Sequence, residues 1–287
     1  MRLAKYLDVA TQTPRLGLIE ENLLRPLKTD ITHLAEILFA ADPAASLKAG
    51  VDTSAAPIAI ASAQLLPPID DQEVWGAGVT YERSKVARIE ESESGGSFYD
   101  LVYAAERPEL FFKATPSRVV GTGQAIRVRQ DTRWCVPEPE LVLVIAPDLR
   151  LVGYAVGNDV SARDIEGQNP LYLPQAKVYD ACCGIGPWIT LAEAMPPTRE
   201  IGIQLSIIRN GAEVVGGTTS IARMARTFSD LIAWLGRDNL FPSGVFLFTG
   251  TGIVPPDEFS LVAGDMVHIR VDGIGTLTNS VVQGPVR

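Results

Sequence analysis

Pro137-Glu138-Pro139-Glu140-Leu141-Val142-Leu143-Val144-Ile145, then Pro147-Asp148, then Leu151-Val152-Gly153-Tyr154-Ala155-Val156, is the stretch on which the fold turns. Two strand-length apolar runs on either side of a Pro-Asp turn predict a hairpin. Alternate side chains of a strand share a face, so Glu138 and Glu140 point the same way. Like charges this close raise each other's pKa unless a cation lies between them. Carboxylate oxygens suit a hard divalent ion: Mg²⁺, Mn²⁺ or Ca²⁺. Taken alone, the pair reads equally well as two solvated residues at a strand start. The second run continues into Gly157-Asn158-Asp159-Val160-Ser161-Ala162-Arg163-Asp164. If the two runs pair, Asp159 comes to the edge where the first run begins, and three carboxylates converge there. Three protein ligands leave positions on an octahedral ion for substrate and water. Asp164 is a candidate fourth contact, but neighbouring Arg163 favours a local ion pair instead.

Working outward, the same texture continues. Val119–Arg129 contains the alternating run Ala125-Ile126-Arg127-Val128-Arg129, a strand pattern. Asn210-Gly211 between Ile201–Ile208 and Glu213–Thr219, and Asp272-Gly273 between Val267–Val271 and Ile274–Asn279, are two further hairpin signals. Thr227–Leu235 has a helical pattern with Thr227 or Ser229 as cap. Ile31–Ala40 also has helical spacing. The Pro67-Pro68 pair can continue neither a helix nor a central strand, which places a linker there. Residues 1–70 read as a small N-terminal domain and 71–287 as the catalytic domain. Strands outnumber helices and most connections are too short for βαβ crossovers. The fold class is α+β, with sheets folded on one another as a roll or sandwich.

The 287 residues allow a large core, and 25 Gly with 20 Pro, scattered along the chain, fit many turns between strands. A formal net charge of −9 repels phosphate backbones, which sets nucleic-acid binding aside. A small anionic substrate then needs a local cation, and a bound metal supplies one. Cys135, Cys182 and Cys183 lack zinc-knuckle or CxxC spacing and read as buried hydrophobes in a reducing compartment. The first ten residues lack a signal peptide's apolar stretch, and runs such as Leu141–Ala146 are too short to span a bilayer. The expectation is a soluble, cytoplasmic protein with no membrane partner. Lys177, in Gln175-Ala176-Lys177-Val178-Tyr179, has apolar and aromatic neighbours. Partial burial beside a metal would lower its pKa and suit it to proton transfer.

Gly78-Val79-Thr80-Tyr81, Phe112-Lys113, Glu138-Pro139-Glu140-Leu141, Gly157 through Asp164, Lys177, Gly186-Pro187, Thr249-Gly250-Thr251-Gly252 and Gly264-Asp265 occur in this order. From about Trp75 to the C-terminus the chain thus resembles the fumarylacetoacetate hydrolase superfamily. Within it, Gly78–Glu91, Asn158–Val178 and Leu240–Phe259 are most similar to the 2-keto-3-deoxy-D-arabinonate dehydratase branch. The resemblance implies a mixed β-roll catalytic domain, a Mg²⁺ ion on Glu138, Glu140 and Asp159, and Lys177 and Thr251 at the substrate site. It also implies a homodimer or homotetramer.

Many hydrolases of this superfamily carry His and Glu shortly after the Gly-x-x-Tyr stretch to activate water. Here Tyr81–Glu91 contains no His, and the two His of the chain, His33 and His268, fall outside it. Elimination needs no such water. The expected activity is therefore Mg²⁺-dependent dehydration of a 2-keto-3-deoxy sugar acid, such as 2-keto-3-deoxy-D-arabinonate to 2,5-dioxopentanoate, through a metal-bound enolate. Lys177 is the first candidate for the proton transfers and Glu109 the second. Arg83, Ser84 and Arg88 are candidates for holding the substrate from a lid with a flexible end at Gly95-Gly96, and read equally as a solvated helix face. The alternative is a C–C hydrolase or decarboxylase acting on an acylpyruvate-like 2-oxo acid, with Glu90 or Glu91 activating water in the hydrolase case. Gly121-Thr122-Gly123 and Gly250-Thr251-Gly252 lack the full dinucleotide fingerprint and read as turns.

Overall fold

The hairpin forms, and it lies at the centre of the molecule. In the computed structural model, which describes residues 1–82 and 102–284, strand Pro139–Ile145 runs antiparallel to Leu151–Asp159, with Glu140 opposite Gly157 and Leu143 opposite Tyr154. Every residue of the first strand is buried, so both of its faces are covered, which is why it reads as an unbroken apolar run. The turn closes where the Ala146 N–H donates to the Arg150 carbonyl at 2.9 Å.

Around this pair a large sheet assembles. On one side lie Cys183–Leu191, Arg2–Asp8, Thr13–Glu20, Leu23–Pro26 and Ile58–Ala59; on the other lie Val245–Phe248, Glu73–Gly78 and, at the edge, Glu109–Ala114. Val245–Phe248 runs parallel to Glu73–Gly78 although about 170 residues separate them. A second sheet of five strands follows the order Ala212–Ser220, Gly202–Arg209, Met266–Val271, Gly275–Gln283, Ala125–Val128. Its two hairpins turn at Asn210-Gly211 and Asp272-Gly273 as expected, with Asn210, Gly211 and Gly273 at positive φ. The two sheets pack on one another and share one core, which runs from Leu141 and Ile185 to Leu205 and Leu277. This is the α+β arrangement of folded sheets that the pattern indicated.

The leading region is sewn into the same sheet. Arg2–Asp8 pairs with Cys183–Leu191, and Leu3, Leu16 and Leu18 join the main core, while Ala4, Tyr6, Ile19, Leu24 and Leu65 form a small cluster on the opposite face. The Pro67-Pro68 pair follows strand Gln64–Leu66, which hydrogen-bonds to Arg2–Asp8. Within Ile31–Ala40 the helix spans Leu34–Leu38, and a second helix, Pro43–Gly50, starts where the Asp42 carboxylate caps the Ala45 N–H. Thr227 caps helix Phe228–Leu235 by accepting from the Asp230 N–H. Arg226, just before that helix, donates to the carbonyls of Val102, Ala105 and Glu106, which anchors the approach to strand Glu109–Ala114. No helix among the described residues is long and apolar enough to cross a membrane.

Candidate metal centre and active site

The hairpin register decides where the carboxylates go. Glu140 faces Gly157 across the ladder, and Asp159 lies two residues further along the same face. Glu138, Glu140 and Asp159 each offer an oxygen within 4.8 Å of the others, and all three are buried. Gly157, opposite Glu140, leaves room for core packing beneath the triad, because a Cβ there would overlap the Phe248 ring and Val142 Cγ2. Solvation does not explain three buried carboxylates in contact distance.

Cations and donors surround them. Lys177 Nζ lies 2.9 Å from Glu138 Oε2, 3.0 Å from Asp159 Oδ2 and 2.6 Å from Ser161 Oγ. Arg163 Nη2 reaches Glu138 Oε1 at 2.9 Å. Lys113 Nζ lies 2.6 Å from Asp159 Oδ1. Among the described residues no cation touches Glu140; the Gly250 N–H donates to its Oε2 at 2.5 Å. Burial, followed by repulsion from Asp159 and Glu138, holds the Glu140 carboxyl well above the usual carboxylate range. An all-oxygen, buried donor set whose least neutralised member touches no cation among the described residues fits a hard divalent ion. Lys113 is pulled in opposite directions: burial lowers its pKa, the Asp159 charge raises it, and the net direction is up.

A cleft opens over these groups, lined by Gly78, Val79, Glu109, Phe111, Glu138, Asp159, Glu166, Lys177, Gly250 and Thr251. The structure thus brings Lys177, Glu109, Thr251 and the carboxylates Glu138 and Asp159 to one opening, with Glu140 beside them. Lys177 is more buried than its neighbours suggested, at 2% exposure. Two glycines shape the walls. A Cβ on Gly78 would overlap the Glu109 carboxylate, and one on Gly250 (φ 88°) would overlap Thr80 Oγ1. Thr80 Oγ1 donates to the Thr249 carbonyl at 2.6 Å, which pins the loop carrying the Gly250 N–H. Val79, β-branched, is held at φ 52° on the cleft wall, a conformation that marks local strain.

Arg163 does not pair with Asp164, contrary to expectation. Helix Arg163–Gln168 turns its guanidinium inward to Glu138, while the Asp164 carboxylate accepts from Thr132 Oγ1 and the Arg133 N–H. Asp164 is therefore no ligand. Arg83, Ser84 and Arg88, with Gly95-Gly96, lie outside the described residues. His33 precedes helix Leu34–Leu38, and His268 bonds Thr278 on the second sheet, so neither reaches the site. Sequence reasoning gave no role to Lys113, Ser161, Arg163, Glu166 or the Gly250 N–H. One signal was present: a lysine in the apolar run Leu110-Phe111-Phe112-Lys113-Ala114 must be paired if that strand is buried.

Two sheets folded on each other, with a buried carboxylate triad at the end of the central hairpin, define a metal-dependent enzyme of the fumarylacetoacetate hydrolase fold. The chain belongs to the family described as fumarylacetoacetate (FAA) hydrolase C-terminal, which matches residues 74–282. It is 50% identical over 214 residues to a probable 2-keto-3-deoxyxylonate dehydratase of Haloferax volcanii, covering 75% of this chain and 73% of that one. It is 43% identical over 221 residues to the 2-dehydro-3-deoxy-D-arabinonate dehydratase of Saccharolobus solfataricus, covering 76% and 74%. A solved structure of 2-keto-3-deoxy-D-arabinonate dehydratase complexed with magnesium and 2,5-dioxopentanoate matches the whole of both chains, with TM-score 0.84 and 33% identity.

Proposed function

We propose that this enzyme dehydrates a 2-keto-3-deoxy sugar acid, with a pentonate such as 2-keto-3-deoxy-D-arabinonate giving 2,5-dioxopentanoate. The observation that carries this is the juxtaposition, in one cleft, of the carboxylate triad with Lys177 and Glu109. The similar complex containing magnesium and 2,5-dioxopentanoate supports it. Glu138, Glu140 and Asp159 hold the ion. When bound, the ion supplies Lewis acidity toward the 2-oxo oxygen, which acidifies the C3 hydrogens.

The chain's own groups do the rest. Glu109 and Lys177 carry the proton traffic: one proton leaves C3, the C4 hydroxyl departs as water, and a proton lost from C5 is replaced at C3. The C4–C5 enol left by that sequence gains a proton at C4 and loses its hydroxyl proton, which turns the terminal alcohol into the aldehyde without any oxidant. Lys177 Nζ already donates to Glu138, Asp159 and Ser161, so it is placed to deliver a proton. Glu109, on the cleft wall, is placed to accept one. Thr251 lines the same opening and Arg83, Ser84 and Arg88 complete the hold on the substrate. A homodimer or homotetramer in the cytoplasm belongs to the same reading, and three buried free thiols fit a reducing compartment.

Incubation with Mg²⁺ and either a 2-keto-3-deoxy pentonate or an acylpyruvate tests the reading. 2,5-Dioxopentanoate from the first supports it. Pyruvate or carbon dioxide from the second, with the pentonate untouched, replaces it with C–C hydrolysis or decarboxylation.

A further inference from the structure

We propose that Lys113 is a positioning residue of this centre: it fixes which oxygen of Asp159 faces the cleft and ties the chain carrying Lys177 to the chain carrying Asp159. The inference rests on the metal-dependent reading above.

Alternation along the edge strand Glu109–Ala114 puts Glu109 and Phe111 on one face, and the bulge in its pairing with Glu73–Gly78 falls at Lys113. Glu109 and Phe111 line the cleft, but Lys113 lies behind it, with no solvent exposure. A buried ammonium must be fully partnered, and an ammonium has three protons. Lys113 Nζ donates to the Lys177 carbonyl at 2.6 Å and the Val160 carbonyl at 3.1 Å, and it pairs ionically with Asp159 Oδ1 at 2.6 Å. Lys113 is not part of the cleft lining and has no exposed surface, so it does not reach a substrate. Its effect is geometric.

That geometry has two parts. Asp159 Oδ1 is turned away from the cleft to Lys113, and Oδ2 is turned toward Lys177 and Glu138. Asp159 therefore presents one oxygen rather than two. The two carbonyls belong to residues 160 and 177, so a single ammonium joins the end of the central hairpin to the last turn of helix Leu173–Lys177. The placement of Lys177 Nζ against Glu138 depends on that joint. Bulk charge neutralisation is a weaker account. Lys177 and Arg163 serve Glu138, while Glu140, the carboxylate most in need of a cation, is not the one Lys113 touches.

Lys113→Met keeps the volume and removes the ion pair and both hydrogen bonds. Lys113→Arg keeps the charge, but a planar fork cannot reproduce a cone of three donors. With folding verified by near-UV circular dichroism, Mn²⁺ binding to either variant is expected to weaken 10- to 100-fold by electron paramagnetic resonance, the range found when an outer partner of a metal ligand is removed. At saturating Mn²⁺, kcat stays depressed at least about tenfold because Lys177 has lost its tether. Rescue of both affinity and kcat by Lys113→Arg overturns positioning in favour of charge. Wild-type affinity and kcat in Lys113→Met overturn the proposal outright.

A measurement on the unaltered enzyme covers the case where neither variant folds. Infrared difference spectra of ¹³C-aspartate-labelled protein, with and without Mg²⁺, should show the band lost in Asp159→Asn moving to the wide splitting of a one-oxygen ligand. Narrowing to a two-oxygen pattern refutes the proposal. Failure of Glu138→Gln to weaken Mn²⁺ binding would instead refute the metal reading beneath it, which keeps the two failures distinct.

Discussion

Gly78 does its work by what it lacks. A methyl group there would occupy the space of the Glu109 carboxylate, the far end of a flexible side chain. Gly78→Ala should therefore fold with a melting temperature within a few degrees of the parent, because Glu109 yields cheaply. The displaced carboxylate is another matter: a shift of about 1 Å in a catalytic group can cost on the order of 10²-fold in rate. Steady-state turnover beside a melting curve checks this, and unchanged turnover would remove Glu109 from the proton path. Glu138→Gln makes a complementary case. The amide keeps the shape but offers Arg163 and Lys177 no negative charge, and calorimetry with Mg²⁺ should show affinity lower by more than about tenfold. At this scale the three carboxylates were legible because strand alternation and hairpin closure are local rules. Lys113 and the Gly250 N–H were not, because their partners lie far off in sequence, 46 residues between Lys113 and Asp159 and 110 between Gly250 and Glu140.

One element, the central hairpin, carries both fold and site, and a second glycine shows how differently the same substitution behaves there. Gly157 sits opposite Glu140, and its missing Cβ is replaced by the Phe248 ring and Val142 Cγ2. Both residues are wholly buried and held by neighbours on every side, so neither can swing away. Gly157→Ala is expected to cost about 1–3 kcal/mol, as overpacking of a filled core does. That is a fall of several degrees in melting temperature. Thermal melts of the two alanine variants, run together, separate a glycine that leaves room for the Glu109 carboxylate from one that protects the core. A melting temperature for Gly157→Ala equal to the parent's would mean the strands can part without loss. The hairpins at Asn210-Gly211 and Asp272-Gly273 could be read in advance because tight turns need positive φ, which Asn210, Gly211 and Gly273 supply. The parallel pairing of Val245–Phe248 with Glu73–Gly78 could not, since no local pattern selects a partner that distant. The leading helix came out shorter than its apolar spacing because the Asp42 cap starts a new helix at Pro43.

Around the triad, Lys113, Arg163 and Lys177 touch Glu138 and Asp159, and among the described residues no cation touches Glu140. Because its carboxyl is held above the ordinary range by burial and by its acidic neighbours, the metal-free fold favours the protonated form. A group raised in this way adds stability below its unfolded pKa and withdraws it as pH climbs. A bound divalent ion takes that proton's place, so ion binding releases a proton and its stabilising effect grows with pH. Carboxyls held below the ordinary range, such as Glu36 through the His33 N–H and Asp131 through Arg129, act with the opposite sign and weaken the fold as pH falls. They do not touch the triad, so they shift the metal-free and metal-loaded curves alike and cancel in the difference. The rise in melting temperature produced by a fixed excess of Mg²⁺ should therefore increase steadily between about pH 5 and pH 8. Apparent affinity should gain up to roughly tenfold per pH unit while one proton is exchanged. Scanning calorimetry with and without Mg²⁺ across that range checks the slope, and a difference that stays flat would show that Glu140 enters the metal-free protein already ionised.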